Sequence, residues 1–247
     1  MKKILIVTLA LFALALPALS QINGDTSKQA VSVKTGSADI AATDIAKATL
    51  AAHGGEKLKK LQALVTKGSA DLTFMGQAMP GAFSTAVSGE KYYFELTSAV
   101  QSLKQIYDGR ETYSSIQGFA LPPVTSLGFP VLQRIGDPGY KISELGELLK
   151  KKKRGFRITT PEGYYTDFFV DEKTSQIKGY ESSYEVGDRV VTTSVEVDEM
   201  QTVEGLVVPK KYSQRFDLGQ ITAYANFKAK EILVNPTMDA GAFTIPK

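Results

Sequence analysis

From Lys67 onward the chain alternates short runs rich in Val, Thr, Tyr and Phe with turn residues, roughly every 8–12 residues. That texture dictates antiparallel β structure, because such short spacings leave no room for the crossovers that parallel strands need. Strands are predicted at Thr66–Phe74, Ala82–Ser88, Lys91–Thr97, Leu103–Tyr107, Glu111–Ile116, Phe156–Thr160, Tyr164–Val170, Ile177–Glu185, Arg189–Val197, Lys210–Phe216 and Ile221–Val234. The last is the most regular. Ile221, Ala223, Ala225, Phe227 and Ala229 share one face, and Thr222, Tyr224, Asn226, Lys228 and Lys230 the other, so one face is covered and one is wet. In Tyr164–Val170 both faces carry aromatic residues, which suits a sheet curved around a cavity. Asp108-Gly109 predicts a type I′ hairpin turn.

Ahead of the strands lies a helical region, Asp39–Leu64. Thr43 or Asp44 caps its start, and Ala46, Ala48, Ala51 and Ala52 favour helix. His53-Gly54-Gly55 should stop it. Glu56 then opens a second turn, with Leu58, Leu61 and Leu64 spaced as a buried helical stripe. Two segments are harder to place. Ser143–Lys153 has helix formers but strand neighbours, and is read as strand and turn. Phe119–Leu132 is apolar but broken by Pro122, Pro123, Gly128 and Pro130, and is read as a loop with at most one helical turn.

The first 20 residues read as an address. Lys2 and Lys3 precede an apolar run, Ile4–Leu16, shorter than the roughly 20 residues of a bilayer span. Pro17 ends it, and Ala18-Leu19-Ser20 offers a cleavage site before Gln21. Export to the periplasm is the expectation, followed by a flexible leader at 21–38 and one domain at 39–247. Residues 1–20 hold two of the 29 basic side chains and none of the 26 acidic ones, so the remainder is close to neutral. That balance argues against a nucleic-acid binder. The chain has no Cys and a single His, His53, which excludes disulfides, thiol nucleophiles, thiolate metal sites and His-rich zinc sites. No cofactor or metal is expected. No nucleophile elbow, dinucleotide fingerprint or P-loop occurs. His53, at a predicted helix end, is read as structural, and Asp167, Asp171, Glu181 and Glu185 as carboxylates on solvated strand faces. Lys150–Arg154 is read as an exposed hairpin end or edge guard, with anionic lipid head groups as the alternative partner.

Several turns and strand ends carry a resemblance. Asp171-Glu172-Lys173-Thr174 follows a strand and can form an Asx turn; Val203-Glu204-Gly205-Leu206-Val207-Val208-Pro209 precedes another, with Pro209 suited to its start; Val234-Asn235-Pro236 leads to Asp239, Phe243 and Pro246. With Ala52-His53-Gly54-Gly55 and Lys67-Gly68, this order resembles the outer-membrane lipoprotein-sorting group, relatives of the LolA and LolB carriers. The chain departs from the carriers proper in having no Trp. The resemblance implies a mainly β (α+β) fold: an open, curved antiparallel half-barrel with N-terminal helices on its concave face. It also implies a non-enzymatic periplasmic carrier of a lipid, an acylated ligand or a lipoprotein, possible contact with the envelope membrane surface, and a cavity. The residues expected to meet ligand are Phe74, Met75 and Met79 around a hairpin, and Phe119, Leu121, Leu127, Phe129 and Leu132 at the cavity mouth. A non-carrier envelope interaction module and a hydrolase with an unrecognised carboxylate pair are the alternatives. A concave void, a packed interior or two close buried carboxylates would separate the three.

Overall fold

The structure, a computed structural model, describes residues 37–74, 77–99, 102–115, 128–150, 153–186, 189–217 and 222–246. The expected signal and nearly all of the leader fall outside them. Helix α1 (Ser37–Ala52) begins inside the segment read as leader. Gly54 and Gly55 then take positive φ and end it, and α2 (Glu56–Lys59) follows. Leu58 is buried, as the helical stripe requires. Leu64 does not extend that stripe, because β1 (Ala63–Phe74) has already begun.

The strands that follow are β2 (Gln77–Ser88), β3 (Lys91–Ser98), β4 (Ser102–Tyr107), β5 (Thr112–Ser114), β6 (Lys141–Ser143), β7 (Gly155–Thr159), β8 (Tyr165–Val170), β9 (Ile177–Val186), β10 (Arg189–Val203), β11 (Leu206–Asp217) and β12 (Thr222–Val234). They form one antiparallel sheet of 12 strands in the order β5-β4-β3-β2-β1-β12-β11-β10-β9-β8-β7-β6. Two meanders thus meet where β1 pairs with β12, and the sheet stays open at β5 and β6. Register shifts fall at Lys67/Gly68, Phe169/Val170 and twice between Val197 and Met200. Such bulges bend a sheet and increase its twist. At Gly68 a Cβ would lie 2.0 Å from the Lys228 carbonyl oxygen, so only glycine fits the first of them. This is the open curved half-barrel that the resemblance implied.

The two faces have different covers. On the concave face α1, α2 and a 3-10 helix (Phe129–Arg134) pack Ala42, Ala46, Leu58, Val131 and Leu132 onto Phe156, Ile158, Phe168, Leu206 and Val208. Beside this cluster Ala70, Phe83, Leu96, Ala225 and Phe227 form a second. On the convex face Phe243 of the C-terminal segment covers Val65, Ala86 and Ile106. The alternation read in β12 holds: Ala225, Phe227 and Ala229 are buried, while Tyr224, Asn226, Lys228 and Lys230 are exposed.

Three local expectations change. Asp108-Gly109 is not a type I′ turn. The Asp108 carboxylate accepts the amides of Arg110 and Glu111, and the hairpin closes over four residues instead of two. Among the described residues, a two-residue turn with positive φ at both positions falls at Glu204-Gly205, where Val203 pairs with Leu206. Residues 143–153 are not strand and turn throughout, because Glu147–Lys150 form a helical turn, α3. Pro209 lies inside β11, not at its start. It is tolerated opposite the irregular stretch at Met200, ahead of the β12 ladder that begins at Lys211.

A groove on the concave face as the candidate functional site

A cavity of about 200 Å³ opens on the concave face. Its walls come from strands that are far apart in the sheet: Gln105 on β4 at one side, Tyr180, Ser182 and Tyr184 on β9 at the other. Seven strand spacings separate β4 from β9, about 33 Å in a flat sheet at roughly 4.7 Å each. One small void can touch both only because the sheet curls strongly. Leu64, Val87, Phe94, Phe129, Val208, Phe216 and Phe227 supply apolar lining, and Tyr92, Tyr180 and Tyr212 add phenols. None of the described residues lining it is charged.

The phenols are locked in their neutral form. Burial pushes Tyr180 up to about 12, partly offset by the Phe129 amide that donates to its oxygen. Tyr92 and Tyr184 are raised by burial, and Tyr212 well above its usual range by burial and by its two tyrosine neighbours. Stacking of Tyr212 on Phe227, with centroids 4.9 Å apart, fixes the groove floor. The 3-10 helix that roofs one end is pinned by a polar chain. The Gly128 amide donates to Thr166 Oγ1 at 3.1 Å, and Thr166 Oγ1 lies 2.9 Å from Ser182 Oγ.

Of the residues expected to meet ligand, Phe129 lines this groove. Leu132 does not line it and is fully buried in the helix-covered core. Met79 is half-buried on β2, opposite Leu72 and away from the groove lining. Phe74 ends β1, and its side chain is outside the described residues, as are Met75, Phe119, Leu121 and Leu127. The 129–132 stretch packs in a 3-10 helix, which turns Val131 and Leu132 into the core and leaves Phe129 at the groove. Pro130 sits in the first turn of the 3-10 helix, where its missing N–H is not needed. Tyr92, Tyr180, Tyr212 and Gln105 had no local signal, since they sit on four different strands. Tyr92 shares a strand face with Phe94, and Tyr212 with Val208 and Phe216, which is the trace they leave in the sequence.

His53 and the carboxylates are built into the scaffold. The His53 ring is fully buried, and Nδ1–H donates to the Val207 carbonyl at 2.6 Å while Nε2 accepts the Ile177 amide at 3.0 Å. With both nitrogens engaged by backbone, the ring has none free to take a proton from a substrate. Asp171 makes the expected Asx turn, accepting the Lys173 and Thr174 amides. Asp167 is not solvated. It is 2% exposed, the only buried carboxylate among the described residues, and both its oxygens take Arg157. It lies on the face away from the groove. Lys153 stands over the Phe169 ring, 3.8 Å from its centroid, and Arg154 donates to the Glu172 carbonyl.

No family model and no curated protein matches the chain. Among solved structures it is similar to a DUF1329 family protein from Desulfovibrio piger, with 10% identity over 83% of this chain and 97% of that one, at a TM-score of 0.49. It is also similar to a LolA superfamily protein from Nitrosomonas europaea, with 10% identity over 80% and 97%, at 0.48. At such identity and score the likeness is one of general shape.

Proposed function

We propose that this chain is an exported, non-enzymatic carrier that holds the apolar part of a lipid or acylated ligand in the groove of its concave face. The observation that supports this most is the void itself: about 200 Å³, open, lined mainly by aromatic and aliphatic side chains and, among the described residues, by no charge. A purely structural envelope module would be expected to fill that space. Sites for small molecules have this composition, apolar with a few placed polar groups.

Volume sets the affinity scale. At about 30 Å³ per water-sized unit this gives room for at least about seven methylenes. At about 0.8 kcal/mol each these contribute near 5–6 kcal/mol gross, before association costs of several kcal/mol. The groove therefore suits at least one apolar chain segment. The export part of the proposal rests on the Lys2-Lys3, Ile4–Leu16 and Ala18-Leu19-Ser20 pattern.

Three measurements test it. N-terminal sequencing of envelope-fraction protein should begin at Gln21, and full-length cytosolic protein would overturn export. Mass spectrometry of organic extracts from natively purified protein should find acyl species. Thr85→Glu places a carboxylate in the groove wall and should weaken binding of the apolar fluorophore phenylnaphthylamine more than tenfold. Equal binding by a folded variant would remove the groove from the reading.

A further inference from the structure

Gln105 lies in the groove wall, on β4 between Phe94 of β3 and Ser114 of β5. It is 4% exposed, and its Nε2 has no hydrogen-bond partner among the described residues. A buried amide donor without an acceptor is destabilising, and native chains rarely keep one. Two other polar side chains of the groove, Gln214 and Ser182, are engaged. Gln214 Nε2 donates to Thr193 Oγ1 at 3.0 Å, and Ser182 is held by Thr166. Gln105 thus offers an unused donor inside an apolar, uncharged cavity.

Three ligand classes meet this wall differently. A pure hydrocarbon leaves Nε2 unpaired. An ionised carboxylate pairs with it but brings a charge into a groove with no cation in its lining, and desolvating that charge outweighs one neutral hydrogen bond. An uncharged acyl derivative satisfies the donor with its carbonyl oxygen and buries its chain against the aromatic residues. We infer that Gln105 is a specificity residue, donating through Nε2 to the carbonyl of an uncharged acyl ester or amide whose chain occupies the groove. This rests on the groove being the ligand site.

The test uses displacement of phenylnaphthylamine from the mature protein by decane, methyl decanoate, N-methyl decanamide and decanoate, at about pH 8 where decanoate is ionised. Gln105→Leu keeps the volume and removes the donor, and Gln105→Met replaces it if that variant does not fold. The ester-to-decane and amide-to-decane affinity ratios should fall about tenfold in the variant, the value of one hydrogen bond of this kind. Fluorophore and decane affinities should hold or rise as the wall becomes more apolar, and the unfolding temperature should hold or rise as an unpaired buried donor is lost. The ester and the amide together show which acyl source the groove prefers. Unchanged ratios, or decanoate as the tightest ligand, overturn the inference while leaving the groove reading intact. Absence of fluorophore binding to the wild-type chain overturns both.

Discussion

His53→Ala should cost about 3–5 kcal/mol of stability, read as a shift of the urea midpoint, although the residue does not itself line the groove. Alanine leaves the Val207 carbonyl and the Ile177 amide without partners. Each such orphan costs about 1–3 kcal/mol. The vacated ring also opens a hole beside Phe129, whose ring meets the imidazole edge-on at 5.5 Å. The same ring predicts a pH dependence. Burial lowers the His53 pKa below its ordinary 6.5, only partly offset by the Val207 bond. The unfolded chain therefore binds the proton first as pH falls. Stability should be flat above about pH 6.5 and decline below it, until the folded form is protonated too. Protonation would also aim an Nε2–H at the Ile177 N–H, donor against donor. No other histidine exists in the chain, so the window is clean. Urea midpoints measured across it should slope for the wild type and stay flat for His53→Ala. Equal slopes in both would remove the histidine from the account.

That histidine shows what was legible and what was not. His53-Gly54-Gly55 announced a helix end, and the helix ends there. Its partners Val207 and Ile177 lie more than a hundred residues away and left no local mark. Period-2 alternation exposed β12, since solvent and core act on alternate residues of one strand. The three-residue β6 had no such pattern to show and depends on its ladder with β7. Turn chemistry was read correctly where one side chain dominates, as at Asp171. It was misread where two turn forms compete: at Asp108 the carboxylate captures its own downstream amides, and the tight turn falls instead at Glu204-Gly205. The groove was the least legible part. Its lining is assembled by curvature from eight neighbouring strands, so the apolar loop stood out in the sequence while the tyrosines did not.

Arg157→Ala should be about as damaging, about 3–5 kcal/mol, through a different mechanism. Arg157 on β7 and Asp167 on β8 are cross-strand partners, joined by Nε to Oδ1 and Nη2 to Oδ2, each at 2.7 Å. The guanidinium also lies 3.9 Å from the Tyr165 ring centroid. Removing it strands a buried carboxylate whose neighbour on β9 is Glu181, another acid. An uncompensated buried charge of this kind is expensive, whereas replacing both partners with apolar side chains is often close to neutral. Arg157→Met with Asp167→Leu should therefore recover most of the loss, and the double-mutant cycle should show strong coupling. The damage should also be local at first. β6 and β7 form the open edge of the sheet on which α1 packs, with Ala42 and Ala46 in the same cluster as Phe156 and Ile158. Amide exchange in Arg157→Ala should accelerate in β6, β7 and α1 before β1–β4 respond. Uniform acceleration would mean that the sheet opens as one unit. A cost below about 1 kcal/mol would mean that water reaches Asp167 once its partner is gone.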